Sequence, residues 1–331
     1  MELPYLSYAR HLQNRYKARV YRIGVDGLFS CPNRQNDGKG GCAFGDGRGG
    51  SAVYHRIEEH ASSRLGYAEQ GQLFESEISG VSLDQRVALI LSQIERGKAF
   101  VQHRYKAQQY SLYFQSYTNT YDSIENLKTL YDTALSTHPF VEFIVSTRPD
   151  CLSQPVIDLL ASYTTKVEKV WVEIGLESAN QQSLDVLGRN HDTDCYIRAV
   201  DSLHLRGIGV CTHVMLGLPN EGRADYLATA RLVNRVHSDA VKIHNLHVCL
   251  GTRLDDWHRQ GEVTTASLRR HVSDSIFFLR HLHSSIVIER MMCETPSHRR
   301  VSPRLFPDKH QFLAQVTDGM LSHGWVQGDL V

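Results

Sequence analysis

Apolar residues along this chain follow two alternating rhythms. Short β-rich runs at 20–25, 110–115, 141–146, 170–174, 210–216 and 241–247 are separated by stretches at 83–96, 123–135, 154–163, 195–206 and 224–236, in which apolar positions fall three and four residues apart. Six strands with helices between them predict an α/β fold with a parallel sheet and right-handed crossovers, which an open barrel and a flat doubly wound sheet satisfy equally. In both, ligands belong at the carboxyl ends of the strands. Beyond residue 252, a helical run at 268–282, an apolar strand at 286–288 and a last helix at 310–321 predict a small C-terminal α/β extension. The expected organisation is therefore 1–252 and 253–331.

Composition narrows the class. Hydrophobic residues make up 41% of the 331 positions and charged residues 22%, an ordinary globular balance without low-complexity runs. No segment approaches the roughly 20 apolar residues of a membrane span, and the first 20 residues lack a signal-peptide core, so a cytoplasmic protein is expected. Lys plus Arg equals Asp plus Glu at 36 each, which excludes a strong overall field toward nucleic acid or membrane. A nucleic-acid site would have to be local. The densest basic run is Arg10, Arg15, Lys17, Arg19 and Arg22, interleaved with His11, Tyr16 and Tyr21, with Arg299, Arg300 and Arg304 near the C-terminus; a solvated face explains such a run equally simply. Seven cysteines read as buried thiols and metal ligands rather than a disulfide framework. The 18 histidines form no HExxH pattern, and no zinc site is expected.

The strand-end segments are distinctive: CPNR, SYTNTY, TRPDC, GLES, GLPNEG and LHVCLGT. After the first run comes a long glycine-rich loop, VDGLFSCPNRQNDGKGGCAFGDGRGG, with Cys31 and Cys42. Locally these segments also fit bland readings. Asn119, Thr120 and Asp122 could cap the next helix, Arg148 could make a surface salt bridge, and Gly217 and Pro219 could form a plain strand-to-helix turn.

Taken in order, VDGLFSCPNR, GGCAF, YFQSYTNTY, STRPDCL, WVEIGLES, RNHDTDCY, HVMLGLPNEG and VKIHNLHVCLGT resemble the YhcC/YtqA-type radical S-adenosylmethionine (SAM) proteins over nearly the whole chain. That resemblance implies a partial (β/α)6 barrel with a [4Fe–4S] cluster and SAM as cofactors, and three loop thiolates as cluster ligands. Cys31 and Cys42 match two of them. Position 45, where the third is expected, is Gly45. Either the site is degenerate, or Asp46 or an external ligand completes it, although an oxygen donor is poorly matched to iron–sulfur chemistry.

The resemblance further implies that Gln115, Ser116, Thr118 and Asn119 hold the SAM amino group. Arg148 suits the methionine carboxylate or a substrate phosphate, and Glu173 or Glu177 a ribose hydroxyl. Met215, Gly217, Leu218 and Pro219 would form a shelf under the adenine. Lys242 and His244, on one face of the sixth strand, are candidate substrate contacts.

Related elongator-type enzymes act on wobble uridine, so the implied activity is conversion of 5-carboxymethylaminomethyluridine to 5-aminomethyluridine in the tRNA anticodon loop, with a low-potential electron donor as partner. Arg15 and Arg19 would grip tRNA phosphates, and Tyr16 and Tyr21 would stack on an unpaired base. The alternatives are a cluster-deficient barrel that binds SAM or RNA without catalysis, and an unrelated barrel enzyme using GLPNEG to hold a phosphorylated metabolite.

Overall fold

The computed structural model describes residues 3–34, 41–45, 52, 54–55 and 81–331. Strands β1 (Val20–Val25), β2 (Gln109–Phe114), β3 (Phe140–Thr147), β4 (Lys169–Glu177), β5 (Gly209–Leu216) and β6 (Ala240–Asn245) lie side by side in chain order. β7 (Val248–Cys249) and β9 (Arg300–Ser302) form a separate antiparallel pair, and β8 (Val287–Arg290) is the seventh strand of the main sheet, beside β6. Every pairing in that sheet is parallel. The helices are α1 (Tyr8–Tyr16), α2 (Leu83–Tyr105), α3 (Ile124–Ser136), α4 (Gln154–Ser162), α5 (Gln181–Val186), α6 (Thr193–His204), α7 (Arg223–Arg235), α8 (Arg253–Arg259), α9 (Leu268–Arg280) and α10 (Lys309–Leu321).

Local chemistry sets the helix starts. Ser82 and Gln85 form a reciprocal capping box at α2, and Ser123 and Asp192 accept from backbone N–H groups in the first turns of α3 and α6. The apolar stripe of α3, Leu127, Leu130, Tyr131 and Ala134, is fully buried on the sheet. There Tyr131 meets Phe114 and Phe143 edge-on at 5.0 and 5.1 Å between ring centres.

The sheet is curled. Laid flat, its edge strands β1 and β8 would stand about 29 Å apart at the usual strand spacing. Yet Arg22 on β1 reaches Glu289 on β8 at 2.7 Å and Glu173 on the central β4 at 2.9 Å. Such contacts require a half-barrel with these side chains in its lumen, which decides between the two expected architectures. At the amino-terminal end of the strands the opening is bridged by the chain before α1: Ile288 N–H donates to Leu6 O at 2.7 Å.

Six strands were expected and seven form the sheet. The short apolar segment assigned to the extension is β8, so residues 253–331 complete the core sheet as well as adding α8 to α10 beside it. Among the described residues no helix is long and apolar enough to cross a membrane.

Candidate active site

The lumen carries charge where a barrel interior is usually apolar. Glu173 is fully buried at the centre of this network. Its Oε1 accepts from Arg22 at 2.9 Å, and its Oε2 accepts from Tyr113 Oη at 2.7 Å, lies 2.9 Å from His213 Nε2 and pairs with Lys242 Nζ. Lys242 also lies 3.4 Å from Glu289. Burial alone would raise the Glu173 pKa, but Lys242 and Arg22 outweigh it and hold the carboxyl well below its ordinary range. Burial alone would lower Lys242, but Glu173 and then Glu289 keep it raised. Burial, with His213 next to it, pushes His244 well below the usual histidine range and keeps that ring neutral.

Two sequence expectations change here. Glu173 has both oxygens committed and is 0% exposed, so it anchors the lumen rather than receiving a ribose hydroxyl. Lys242 is 2% exposed and neutralises Glu173 and Glu289 instead of meeting substrate. Glu173, Cys211 and His213 have ligand atoms within 4.8 Å of one another, but Arg22 and Lys242 already supply the positive charge a metal ion would bring.

Above this network lies the rim, at the carboxyl ends of the strands. β4 runs on past its apolar stretch to Glu177, through a bulge, with Glu177 in the left-handed region at φ 69°. Arg189 arches over the strand: its Nη2 donates to Gly175 O at 2.8 Å and its Nη1 to Cys42 Sγ at 3.1 Å. A Cβ at Gly175 would stand 2.7 Å from Arg189 Nη2, so a side chain there would displace the guanidinium. Arg148 grips Asp150 with two bonds of 2.9 Å and donates to Arg189 O at 2.6 Å. Asn119 Nδ2 donates to Ser146 O at 2.8 Å, joining the ends of β2 and β3.

Buried polar atoms without a protein partner mark where a polar ligand fits, because each costs about 1–3 kcal/mol if left unmade. On this rim they are Gln115 Nε2, Asn119 Oδ1, Arg148 Nη1, Glu177 Oε2 and Arg189 Nε. The set offers donors for a carboxylate and acceptors for an ammonium or a ribose hydroxyl, as SAM requires. Ser116 and Thr118 are buried on the same rim segment. Met215 and Leu218 pack in one apolar cluster with Ala43 of the cysteine loop, and Gly217 takes φ 87° before the half-buried Pro219. His244 stands 5.3 Å from His213, with Nε2 buried and without a partner.

The cysteine loop presents two thiols. Cys42 is held by Arg189 and by Asn33 Nδ2 at 3.5 Å, while Asn33 also donates to Gly188 O at 2.5 Å. Gly45 N–H donates to Cys42 O at 2.9 Å, and among the described residues a Cβ at Gly45 would meet only that carbonyl, at 3.4 Å. Asp46 lies outside the described residues.

Arg15 and Arg19 belong to the opposite pole. Arg15 Nη2 donates to Glu168 O just before β4, and the Arg19 backbone pairs with Gln108 just before β2. A six-residue strand separates that end from the rim by about 20 Å. Tyr21 is stacked on Tyr105 at 4.8 Å, and Tyr16 Oη donates to Glu142 at 3.2 Å. The residues that sequence reasoning missed are Arg189 and Asn33, which contact Cys42, and Arg22 and Glu289, which balance the lumen. Alternation along 20–25 could have turned Arg22 inward with Gly24; nothing local marked Arg189.

A half-barrel with a two-cysteine loop at its rim, beside buried polar groups without a protein partner, is the arrangement of a radical SAM type of protein. The chain belongs to the Radical SAM superfamily: that family model matches residues 86–233, and the Radical_SAM C-terminal domain matches 238–321. An uncharacterized protein of Methanocaldococcus jannaschii is 30% identical over 98% of this chain and 91% of its own length. Protein YhcC of Escherichia coli is 28% identical over 96% of this chain and 92% of its own. A tRNA uridine(34) acetyltransferase of Dehalococcoides mccartyi is 29% identical over 145 residues, 43% of this chain and 30% of that protein. Among solved structures, the archaeal Elp3 of Methanocaldococcus infernus superposes with a TM-score of 0.61 at 19% identity, covering 73% of this chain and 60% of that one. SAM and a [4Fe–4S] cluster are the cofactors of this superfamily.

Proposed function

We propose that the chain is a radical SAM enzyme that acts on the wobble uridine of tRNA, converting 5-carboxymethylaminomethyluridine to 5-aminomethyluridine. The observation that carries this reading is the 29% identity over 145 residues to a tRNA uridine(34) acetyltransferase, supported by the fold shared with Elp3. When bound, the cofactors supply a hydrogen-atom abstractor, which suits the carbon between an amine and a carboxylate that no side chain would deprotonate at neutral pH. The chain's own contribution is positioning. Arg148 and Gln115 would hold the carboxylate of SAM, Asn119 its ammonium and Glu177 a ribose hydroxyl, while Met215 and Leu218 would give an apolar wall. His244, neutral and with Nε2 lacking a protein partner, would offer a bond to the base. A low-potential electron donor completes the system.

The test is an anaerobic reaction of reconstituted protein with SAM, a strong reductant and tRNA bearing the carboxymethylaminomethyl group, followed by nucleoside mass spectrometry. The reading expects loss of the substrate nucleoside, gain of the aminomethyl product and 5′-deoxyadenosine in proportion. Formation of 5′-deoxyadenosine with an unchanged nucleoside profile would reject this substrate. Gly45 favours one second reading, a barrel that binds SAM or RNA without turnover; it expects neither product.

A further inference from the structure

On the rim, Arg148 grips Asp150 at 2.9 Å and Arg189 lies 3.7 Å from Glu177, so both cations have a carboxylate. The lumen is different. Arg22 and Lys242 share Glu173 and Glu289, and the two oxygens of Glu289 are turned to them at 2.7 and 3.4 Å. Arg290, the last residue of β8, adds a third cation to this layer. From that imbalance we propose that Arg290 is a specificity-determining residue that receives the carboxylate of the substrate. The proposal rests on the tRNA reading above, in which this carboxylate belongs to the carboxymethylaminomethyl group.

Strand register turns Arg290 inward. β8 pairs with β6 through Val241–Ile288 and Lys242–Arg290, with an irregularity between them that leaves Glu289 as the extra residue of a bulge. Lys242 points into the lumen, where it meets Glu173. Its pairing partner Arg290 shares that face of the sheet, and Glu289 joins it through the bulge, as the contact with Lys242 shows. Arg290 stands at the carboxyl end of its strand, toward the rim, and is half-buried where Lys242 is buried. His244 follows two residues after Lys242 on the same face of β6. Burial, then His213 and Arg290, keep that ring neutral, in line with a guanidinium near it.

The guanidinium has donors to offer. Among the described residues its side chain enters no hydrogen bond and no close ion pair, and its electrostatic neighbours are Glu289, Tyr113, Cys293 and Glu173. Both of those carboxylates are already shared by Arg22 and Lys242. Glu142, toward the amino-terminal end of the lumen, is bonded to Tyr8, Ser111 and Trp171 instead. Among the described residues of this layer, Arg22, Lys242 and Arg290 thus face only Glu173 and Glu289, and an unbalanced charge in a low-dielectric interior is costly until an anion joins it. A planar guanidinium takes a carboxylate through two parallel bonds, which fixes its plane as well as its place. The carboxylate at Arg290 and the base at His244 would hold the carbon between amine and carboxylate at the mouth of the lumen, beside the rim.

Sarcosine carries the same secondary amine and carboxylate, and sarcosinamide replaces the carboxylate by an uncharged amide. Binding of the two to the full chain in the presence of SAM, measured by NMR titration, tests the proposal without any turnover. Wild type is expected to bind sarcosine about tenfold or more tightly than sarcosinamide, the contribution of one hydrogen bond between charged groups. Arg290→Gln should bind the two alike and Arg290→Lys should keep part of the preference. Both should retain the wild-type affinity for SAM, which also shows that they fold. An undiminished preference in Arg290→Gln, or none in wild type, overturns the proposal. A SAM affinity about tenfold lower in Arg290→Gln does the same, since Arg290 would then hold SAM. Inorganic phosphate that binds more tightly than sarcosine would assign Arg290 to an RNA phosphate and likewise overturn it. An unchanged nucleoside in the tRNA assay beside an intact sarcosine preference rejects the tRNA reading alone.

Discussion

Glu173→Gln probes the lumen network most sharply. The substitution keeps the shape but removes the charge that Arg22, Lys242 and His213 share, leaving Glu289 alone opposite two buried cations. Breaking a buried ion pair by removing one partner typically costs about 3–5 kcal/mol. Glu289 retains part of the compensation, which places the expected loss near the lower end, about 3 kcal/mol. For 331 residues the unfolding entropy is about 0.7 kcal/mol/K, so Tm should fall by roughly 4 °C. Thermal unfolding followed by far-UV circular dichroism at pH 7 reads this shift. The pH dependence carries the same signature. Since Glu173 is held well below its unfolded value, its contribution is complete above about 4.3 and is lost as pH falls through the folded-state value. The gap between wild type and Glu173→Gln should therefore be constant at neutral pH and shrink only in acid. An unchanged or raised Tm at pH 7 would refute the claim that the network holds the half-barrel closed.

Gly175→Ala should push a methyl against Arg189 Nη2 and Glu177 Oε1, at 2.7 and 2.8 Å; SAM affinity measured by calorimetry should fall by about tenfold or more, the loss of one charged hydrogen bond. Glu177→Gln should weaken SAM binding by a similar factor of about 10, with Tm within about 1 °C of wild type, because Oε2 is unpartnered in the protein. Arg15→Ala combined with Arg19→Ala should leave the KM for tRNA within about twofold, since both lie at the pole away from the rim. Arg148→Ala, on the rim, should impair SAM binding.

The strands were legible because most of their positions are apolar or β-branched and buried, and the loops after them because their polar and glycine content breaks that pattern. β8 was harder to place. Four residues form a strand only against β6, and a short apolar segment carries no sign of which sheet it joins. The extension of β4 to Glu177 was hidden for a related reason: Glu177 follows a bulge in the strand and faces Arg189, twelve residues later, at 3.7 Å. Glu173 and Lys242 were read as ligand contacts and Arg22 as part of a solvated basic run because sequence pattern cannot pair charges across strands, whereas here partners from β1, β4, β6 and β8 bury one another. Cys42 was visible as a ligand, but its partner Arg189 lies 147 positions away in the chain.

The central claim is that this rim binds SAM and a cluster and uses them together, and reductive cleavage of SAM by the anaerobically reconstituted chain tests it most directly. The account predicts 5′-deoxyadenosine and methionine in equal amounts from wild type, and their loss in Cys31→Ala and Cys42→Ala. An iron-loaded wild-type chain that leaves SAM intact, or equal cleavage in the Cys31→Ala variant, would contradict it.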